Sequence, residues 1–92
     1  MDLLSDEQVA ERLASLTGWT RQADSIVHVQ TLADFKAALL YVGAVAYLAE
    51  TANHHPDVTI QWNKVTLVLS THSAGGLTAK DFALAGQITA LG

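Results

Sequence analysis

Hydrophobic residues recur along the chain at two spacings, a helical one in three segments and an alternating one in four shorter segments. Ser5 and Gln8 fit a capping box at the start of the first helical segment. The apolar residues of that segment share one helical face and are Val9, Leu13 and Leu16. We therefore predict a helix from Asp6 to Leu16, which Gly18 follows as a typical C-terminal glycine.

Alternating hydrophobic and polar residues predict four strands in two hairpins. The first hairpin pairs Trp19–Gln22 with Ser25–Gln30 across a turn at Ala23-Asp24. The second hairpin is longer and consists of strand Asp57–Trp62, loop Asn63-Lys64 and strand Val65–Ser70. The alternation places the apolar side of each strand in a core.

A long apolar segment separates the two hairpins. Thr31 and Asp34 repeat the capping signature, and the run from Leu32 to about Ala52 contains no proline. We predict one long central helix that ends before Pro56, because the residue before a proline favours extended backbone. Its apolar positions form a wide stripe: Phe35, Leu39, Val42, Ala46 and Ala49, flanked by Ala38, Val45, Leu48 and Ala52. A stripe of this width predicts burial beyond one sheet face.

A third capping signature, Thr78 with Asp81, follows the Gly75-Gly76 break and predicts a C-terminal helix. The order of elements is then α-β-β-α-β-β-α. This order predicts a single α+β domain over residues 1–92, with a four-stranded antiparallel sheet and helices packed on one face.

Composition adds an expectation about assembly. Of the 92 residues, 50% are hydrophobic and only 15% are charged, compared with about 25% charged in typical soluble domains. Apolar side chains must therefore occupy part of the surface. Because small domains bury a small fraction of their surface, we expect copies of the chain to associate.

Charge and cysteine content exclude several classes of function. The absence of cysteine excludes disulfides, thiol catalysis and cysteine-based metal sites. A net charge of −4, with five scattered Lys and Arg residues, argues against direct nucleic-acid binding. The acidic N-terminus is unlike a signal peptide, and the uncharged apolar stretch Ala37–Ala49 is shorter than the about 20 residues that cross a bilayer. We expect a cytoplasmic protein without membrane contact.

Three of the four histidines lie where predicted elements end: His54 and His55 after the long helix, and His72 after the last strand. Imidazole titrates near neutrality and can serve as acid or base. If these ends meet in the fold, the rings outline a site for proton transfer. Glu50 precedes His54 by four residues, so we expect its carboxylate to orient that ring.

Each of these residues also has a purely structural interpretation. A histidine at a helix end interacts favourably with the helix dipole, and Glu50 is equally typical of a solvated helix face. Asp81 is the third residue of a capping box, which we favour over direct chemistry. Trp19 and Trp62 are typical core or interface aromatics.

The histidine pattern does not predict a metal site. Adjacent His54 and His55 diverge by about 100° on a helix, or point to opposite faces of a strand. Neither arrangement matches the spacing of four residues found in a typical zinc-binding helix. We therefore expect no metal.

A gapped set of motifs carries a resemblance to a known family. The motifs are Glu50-Thr-Ala-Asn-His54-His55-Pro56, Trp62-Asn63-Lys64-Val65, Ser70-Thr71-His72, Gly75-Gly76-Leu77-Thr78 and Asp81. In this order they resemble the signature of the pterin-4a-carbinolamine dehydratase family. Gly18-Trp19 and the predicted element order agree with the family upstream, so the resemblance covers nearly the whole chain.

The resemblance implies a four-stranded antiparallel sheet with helices on one side, assembled into homodimers or homotetramers. It also implies a reaction: loss of water from a 4a-hydroxytetrahydropterin to give a quinonoid dihydropterin, as in tetrahydrobiopterin recycling. A small pterin would be the substrate, and no cofactor would be needed. A pterin nitrogen loses a proton while the departing hydroxyl gains one, which suits histidine.

The resemblance also implies roles for individual residues. His54 and His72 would be the acid/base pair, and His55 would position the pterin. The supporting or substrate-binding residues would be Glu50 beside the histidines, Asp81 ordering the site, Trp19 lining the pocket, and the backbone near Ser70 and Thr71.

Two positions depart from the family pattern. Asn53 stands where many members have an acidic residue, and Val58 stands where an aromatic residue is common. Asn53 removes a charge beside the histidine pair, which bears on rate and pH optimum. An alternative function is a non-catalytic binding or assembly module that keeps the fold. A degenerate module would lose histidines from the set, so the presence of all three favours an enzyme.

Overall fold

The computed structural model describes residues 2–92. Its elements in chain order are α1 (Asp6–Ala14), β1 (Trp19–Gln22), β2 (Ser25–Thr31), α2 (Phe35–Ala52), β3 (Asp57–Gln61), β4 (Lys64–Leu69), the short 3-10 helix η1 (His72–Ala74) and α3 (Ala79–Thr89). The strands form one antiparallel sheet in the order β1-β2-β4-β3. The predicted α+β class and element order are confirmed.

The core lies on one side of the sheet, as the alternation predicts. Ile26 and Leu69 are opposite each other in the β2–β4 pairing, and both are fully buried. Val65 and Leu67 continue the buried row on β4. The helices contribute buried small and branched side chains to the same cluster, including Ala38, Val45, Ala49, Leu84, Ala85 and Ile88.

Two of the three predicted helix starts are correct. Ser5 and Gln8 close a capping box on α1, and Thr78 and Asp81 close one on α3. The predicted start of the central helix is wrong, because Thr31 belongs to β2, and Asp34 caps α2 by accepting the backbone N–H of Ala37 at 2.8 Å. Helix α1 ends at Ala14, two residues before the predicted end at Leu16.

The turn of the second hairpin lies one residue earlier than predicted. Gln61 pairs with Lys64, so Trp62 and Asn63 form the two-residue turn. Trp62 has φ 53° and an exposed side chain. It is therefore a turn residue, and it does not pack in the core of this chain. The first turn, Ala23-Asp24, is confirmed.

Helix α2 is long and apolar enough to cross a bilayer by length and composition alone. In this fold it packs against α3 and β4, and Ala38, Val45 and Ala49 are buried there. It is thus a packed helix, as predicted. Its outer face leaves large apolar side chains exposed: Phe35, Leu39, Leu40 and Tyr47.

Candidate active site

The backbone after α2 sends two adjacent imidazoles in different directions. Asn53 takes a left-handed conformation, φ 51° and ψ 43°, and its N–H donates to the carbonyl of Glu50. The N–H of His54 donates to the carbonyl of Ala49 at 3.1 Å. Asparagine tolerates this conformation better than most residues. As a result His54 turns into the protein while His55 remains exposed.

A second irregular segment carries His72. It opens η1 directly after Thr71, whose N–H donates to the carbonyl of Gly76 at 2.8 Å. Gly75 closes the segment at φ 78°, a left-handed conformation that glycine adopts without strain. The loop is thereby folded back on itself, with His72 at its exposed outer side.

These segments line one cavity of about 270 Å³. All three predicted histidines line it, together with Asn53, Ser70, Thr71, Ser73 and Lys80. The ends of α2 and β4 therefore meet, as the proton-transfer hypothesis requires. The cavity is open and polar, and its lining contains three imidazoles and an amine but no carboxylate.

A buried hydrogen bond between a histidine and a carboxylate lies beneath the cavity. Nε2 of His54 is 2.6 Å from Oδ1 of Asp81, and the Asp81 side chain is completely buried. The other carboxylate oxygen accepts the hydroxyl of Thr71 at 2.8 Å and the backbone N–H of Thr78 at 2.9 Å. Asp81 thus closes the capping box of α3 and also contacts His54. The two interpretations of Asp81 are compatible.

The open nitrogen of His54 is Nδ1. Among residues 2–92, the Tyr41 hydroxyl is the one buried side-chain polar atom that lacks a hydrogen-bond partner. Nδ1 of His54 has no hydrogen-bond partner within this range and is not among these buried atoms, so it is at least partly exposed, on a residue that lines the cavity. Because a carboxylate only accepts hydrogen bonds, a neutral His54 ring that bonds to Asp81 must hold its proton on Nε2, which leaves Nδ1 as a proton acceptor.

Glu50 does not contact His54, which corrects the sequence-based expectation. Its Oε2 lies 2.6 Å from Nε2 of His55. The spacing of four residues would hold only if the helix continued, but it ends at Ala52 and the left-handed Asn53 rotates His54 away from that face. The Glu50–His55 pair is largely solvated, with side chains 76% and 56% exposed.

Trp19 does not line the cavity. Its side chain is buried in the core, where Nε1 donates to Oγ1 of Thr89 at 2.9 Å. The indole also stacks on the ring of His28, with ring centroids 5.1 Å apart. The structural interpretation of Trp19 as a core aromatic is correct.

Ser70 and Thr71 line the cavity, but Thr71 has little backbone capacity for a ligand. Its N–H donates to Gly76, and its carbonyl accepts the N–H groups of Ala74 and Gly75, both at 3.0 Å. Its hydroxyl is engaged with Asp81. Thr71 therefore supports the site, and Ser70 is the better candidate for contact with a ligand.

Sequence reasoning missed Ser73 and Lys80 in this region, and it named Asn53 only as a departure from the family pattern and Thr78 only as a helix cap. Asn53, Ser73 and Lys80 line the cavity, and the hydroxyl of Thr78 lies behind it, 2.8 Å from that of Thr71. Asn53, Ser73 and Lys80 each adjoin a predicted site residue in the sequence, so adjacency was the available signal for these three. No sequence signal indicates the contact between the hydroxyls of Thr71 and Thr78, because this contact depends on the loop folding back.

Two other cavities have less chemistry. The larger, about 390 Å³, lies between α1 and α3 and has Arg12 as its titratable group. The other, about 260 Å³, is mainly apolar and is lined by one side of α2, Pro56 and Val58, together with Glu50 and His55. Within residues 2–92, no three His, Asp or Glu side chains are grouped to hold a metal ion. The histidine-lined cavity is the candidate active site.

Comparison with known proteins gives a consistent result. A family model described as pterin 4 alpha carbinolamine dehydratase matches residues 2–91. A relative from Roseiflexus castenholzii, named for the same dehydratase, is 58% identical over 94% of this chain and 92% of its own. One from Nocardia farcinica with the same name is 52% identical, over 98% of this chain and 95% of its own.

Solved structures agree with the fold. A structure from Brucella melitensis, described as a transcriptional coactivator/pterin dehydratase, superposes with a TM-score of 0.93 at 29% identity and covers 98% of both chains. A pterin dehydratase-like RuBisCO assembly factor shares the fold alone, with a TM-score of 0.64 at 18% identity over 79% of this chain and 84% of its own. From the histidine motifs, the fold and the match over almost its full length, the chain belongs to the pterin-4a-carbinolamine dehydratase family.

Proposed function

We propose that this chain dehydrates a 4a-hydroxytetrahydropterin to the quinonoid dihydropterin by histidine acid/base catalysis. The observation that carries the proposal is the convergence of His54, His55 and His72 on one cavity. Family membership supplies the substrate class. The reaction needs a proton acceptor and a proton donor that both work near neutral pH, and imidazole meets both needs.

The contacts of His54 and His72 suit the two rings to different roles. His54 presents an open Nδ1 while Asp81 holds Nε2, so His54 acts as the base that removes the proton from the pterin ring nitrogen. A double bond forms between that nitrogen and C4a as the C4a–O bond breaks. His72, exposed at the opposite segment, donates a proton to the leaving hydroxyl, which departs as water.

His55 and Ser70 position the pterin in this proposal. Glu50 holds the Nε2 side of the His55 ring at 2.6 Å and leaves Nδ1 for the ligand. Lys80 adds a cation to the cavity lining, and no lining carboxylate repels an electron-rich heterocycle. A fused heterocycle with several ring nitrogens suits such a polar cavity.

The test is dehydration of a synthetic 4a-carbinolamine, followed by its ultraviolet absorbance with and without the purified protein. We expect His54→Ala and His72→Ala each to lower kcat by about 100-fold or more, as removal of a general acid or base does. His28→Gln is the matched control, because His28 lies outside the cavity. Unchanged turnover in folded His72→Ala would refute the proposed mechanism.

A binding or assembly module with the same fold is the second candidate, favoured by the large apolar side chains exposed on α2. The same assay distinguishes it from an enzyme. A wild-type protein that binds a dihydropterin in calorimetry but leaves the carbinolamine decay unchanged would be a module. The three intact histidines lead us to expect catalysis.

We also propose that the protein works as a homodimer or homotetramer in the cytoplasm, in tetrahydrobiopterin recycling. The support for self-association is the outer face of α2, where Leu40 and Tyr47 are 68% and 72% exposed. Side chains of this size favour burial against a partner.

A further inference from the structure

Two buried hydroxyl groups continue the contact network behind Asp81. Oγ1 of Thr71 donates to Oδ2 of Asp81 at 2.8 Å, and the hydroxyls of Thr71 and Thr78 are also 2.8 Å apart. The backbone N–H of Lys80 donates to Oγ1 of Thr78 at 3.3 Å. Thr71 and Thr78 are both buried, and Thr78 does not line the cavity.

Counting protons fixes the direction of every bond in this network. A hydroxyl has one proton to donate. Thr71 gives its proton to the carboxylate, so it must accept the proton of Thr78 in the Thr71–Thr78 contact. Thr78 in turn accepts from the amide of Lys80. The chain of donors therefore runs from Lys80 through Thr78 and Thr71 to Asp81, with no unsatisfied member.

This chain of donors occupies Oδ2 and leaves Oδ1 as the carboxylate oxygen that faces His54. Oδ2 already receives the Thr71 hydroxyl and the Thr78 amide, whereas Oδ1 contacts His54 alone. The orientation of Oδ1 then decides which ring nitrogen of His54 holds the proton. A loose carboxylate would let the imidazole tilt or change tautomer.

We propose that Thr78 and Thr71 are positioning residues that act through Asp81 to hold His54 in its Nε2–H tautomer, with Nδ1 facing the substrate. The catalytic consequence rests on the proposed function, but the control of the tautomer does not. Neither hydroxyl needs to touch the pterin. Indirect partners of metal-bound histidines change affinity or activity by about 10- to 100-fold when removed, and we expect an effect at the lower end of that range for a histidine without a metal.

The first experiment determines the tautomer of His54 directly. Long-range nitrogen–proton correlation NMR of the full chain, labelled on histidine, distinguishes the two tautomers of each ring. We expect Nε2–H at His54 in the wild type and a mixture of tautomers in Thr78→Val and in Thr71→Val. Thr78→Ser and Thr71→Ser keep the hydroxyls and should restore the wild-type signal.

The second experiment measures kinetics of the same variants. We expect both valine variants to lose about tenfold in kcat, because the base is misaligned. In Thr78→Val the cavity lining is kept, so KM should change little. Thr78 also caps α3, so Ser5→Ala is the control: it removes the corresponding cap from α1, away from the cavity. Its kcat should stay unchanged.

The outcomes separate the two proposals. A His54 signal that is the same in folded Thr78→Val as in the wild type, or an Nδ1–H ring in the wild type, would overturn the positioning role. Shifted tautomers in a protein that does not dehydrate the carbinolamine would refute the proposed function and leave the hydroxyl control of His54 standing.

Discussion

The three cavity histidines have unequal electrostatic surroundings. His54 contacts a carboxylate that water does not reach, His55 contacts one that is three-quarters exposed, and His72 contacts none among residues 2–92. Removing one member of a buried pair leaves the other charge or dipole uncompensated, whereas an exposed pair is screened by water. A histidine–carboxylate contact therefore contributes more to stability at His54 than at His55.

This contrast gives a prediction for two equivalent amide substitutions. Asp81→Asn should lower the free energy of unfolding by about 1–3 kcal/mol, because the amide has only one acceptor oxygen and leaves a buried donor of His54 or of Thr71 without an acceptor. Glu50→Gln should lower it by less than about 1 kcal/mol. Urea denaturation of both variants checks the prediction, and equal losses would contradict it.

Tyr41 on α2 offers a second prediction at this scale. Its hydroxyl is buried without a partner, and burial raises its pKa above the ordinary value of 10.0 by disfavouring the phenolate. Above about pH 10 the unfolded chain therefore releases the proton more readily than the native chain, so stability falls as pH rises. Below that range the contribution of Tyr41 to stability does not change with pH.

Tyr41→Phe should remove this alkaline loss and, near neutral pH, leave stability unchanged or raise it by about 1 kcal/mol, since a desolvated group without a partner is deleted. Thermal unfolding at pH 7 and above pH 10 measures both effects. Tyr47→Phe is the control, because Tyr47 is exposed. A loss of several kcal/mol in Tyr41→Phe would show that the hydroxyl has a partner.

At the scale of elements, local patterns predict which elements form better than where they begin. The capping boxes at Ser5 and Thr78 depend on contacts three residues apart, and both are confirmed. Thr31 carries the same signature but pairs with Lys64 in the sheet. The β-sheet ladder extends β2 to this residue and leaves the cap to Asp34, which a local pattern cannot reveal.

The correct cap of α2 can be tested by substitution. Asp34→Ala should lower the free energy of unfolding by about 1 kcal/mol because the N–H of Ala37 loses its acceptor. Asp34→Asn keeps an oxygen acceptor and should cost much less. Chemical denaturation of both variants measures the difference, and an equal loss would place the cap elsewhere.

The candidate site was predictable in part for the same reason. The histidines were found because all three stand at element ends, and the ends of α2 and β4 do lie together. The partners were not found: Glu50 contacts His55 because Asn53 breaks the helical spacing, and Trp19 packs on Thr89 and the sheet. Such pairings depend on backbone irregularities and on contacts between distant segments.

At the scale of the whole molecule, the largest unexplained feature is the outer face of α2. A chain with 15% charged residues places Phe35, Leu39, Leu40 and Tyr47 on this one surface. Association of copies through α2 would remove these side chains from water. Exposed apolar area of this kind is uncommon on monomeric domains.

We expect the wild-type chain to elute as a dimer or tetramer in size-exclusion chromatography with light scattering. Leu40→Glu should shift it toward monomer, because a buried interface does not accommodate an unpaired carboxylate. Leu91→Glu is a matched control at an exposed leucine outside α2. A monomeric wild type, or the same shift in both variants, would contradict association through α2.

Because the Asp81 carboxylate contacts both a helix and a histidine that lines the cavity, few substitutions should be tolerated at position 81. Asp81 holds the first turn of the last helix with one oxygen and the ring of His54 with the other. In a library of variants sorted only for folding, with no substrate present, position 81 should still be retained as aspartate. A substitution at this position would therefore change stability and turnover together.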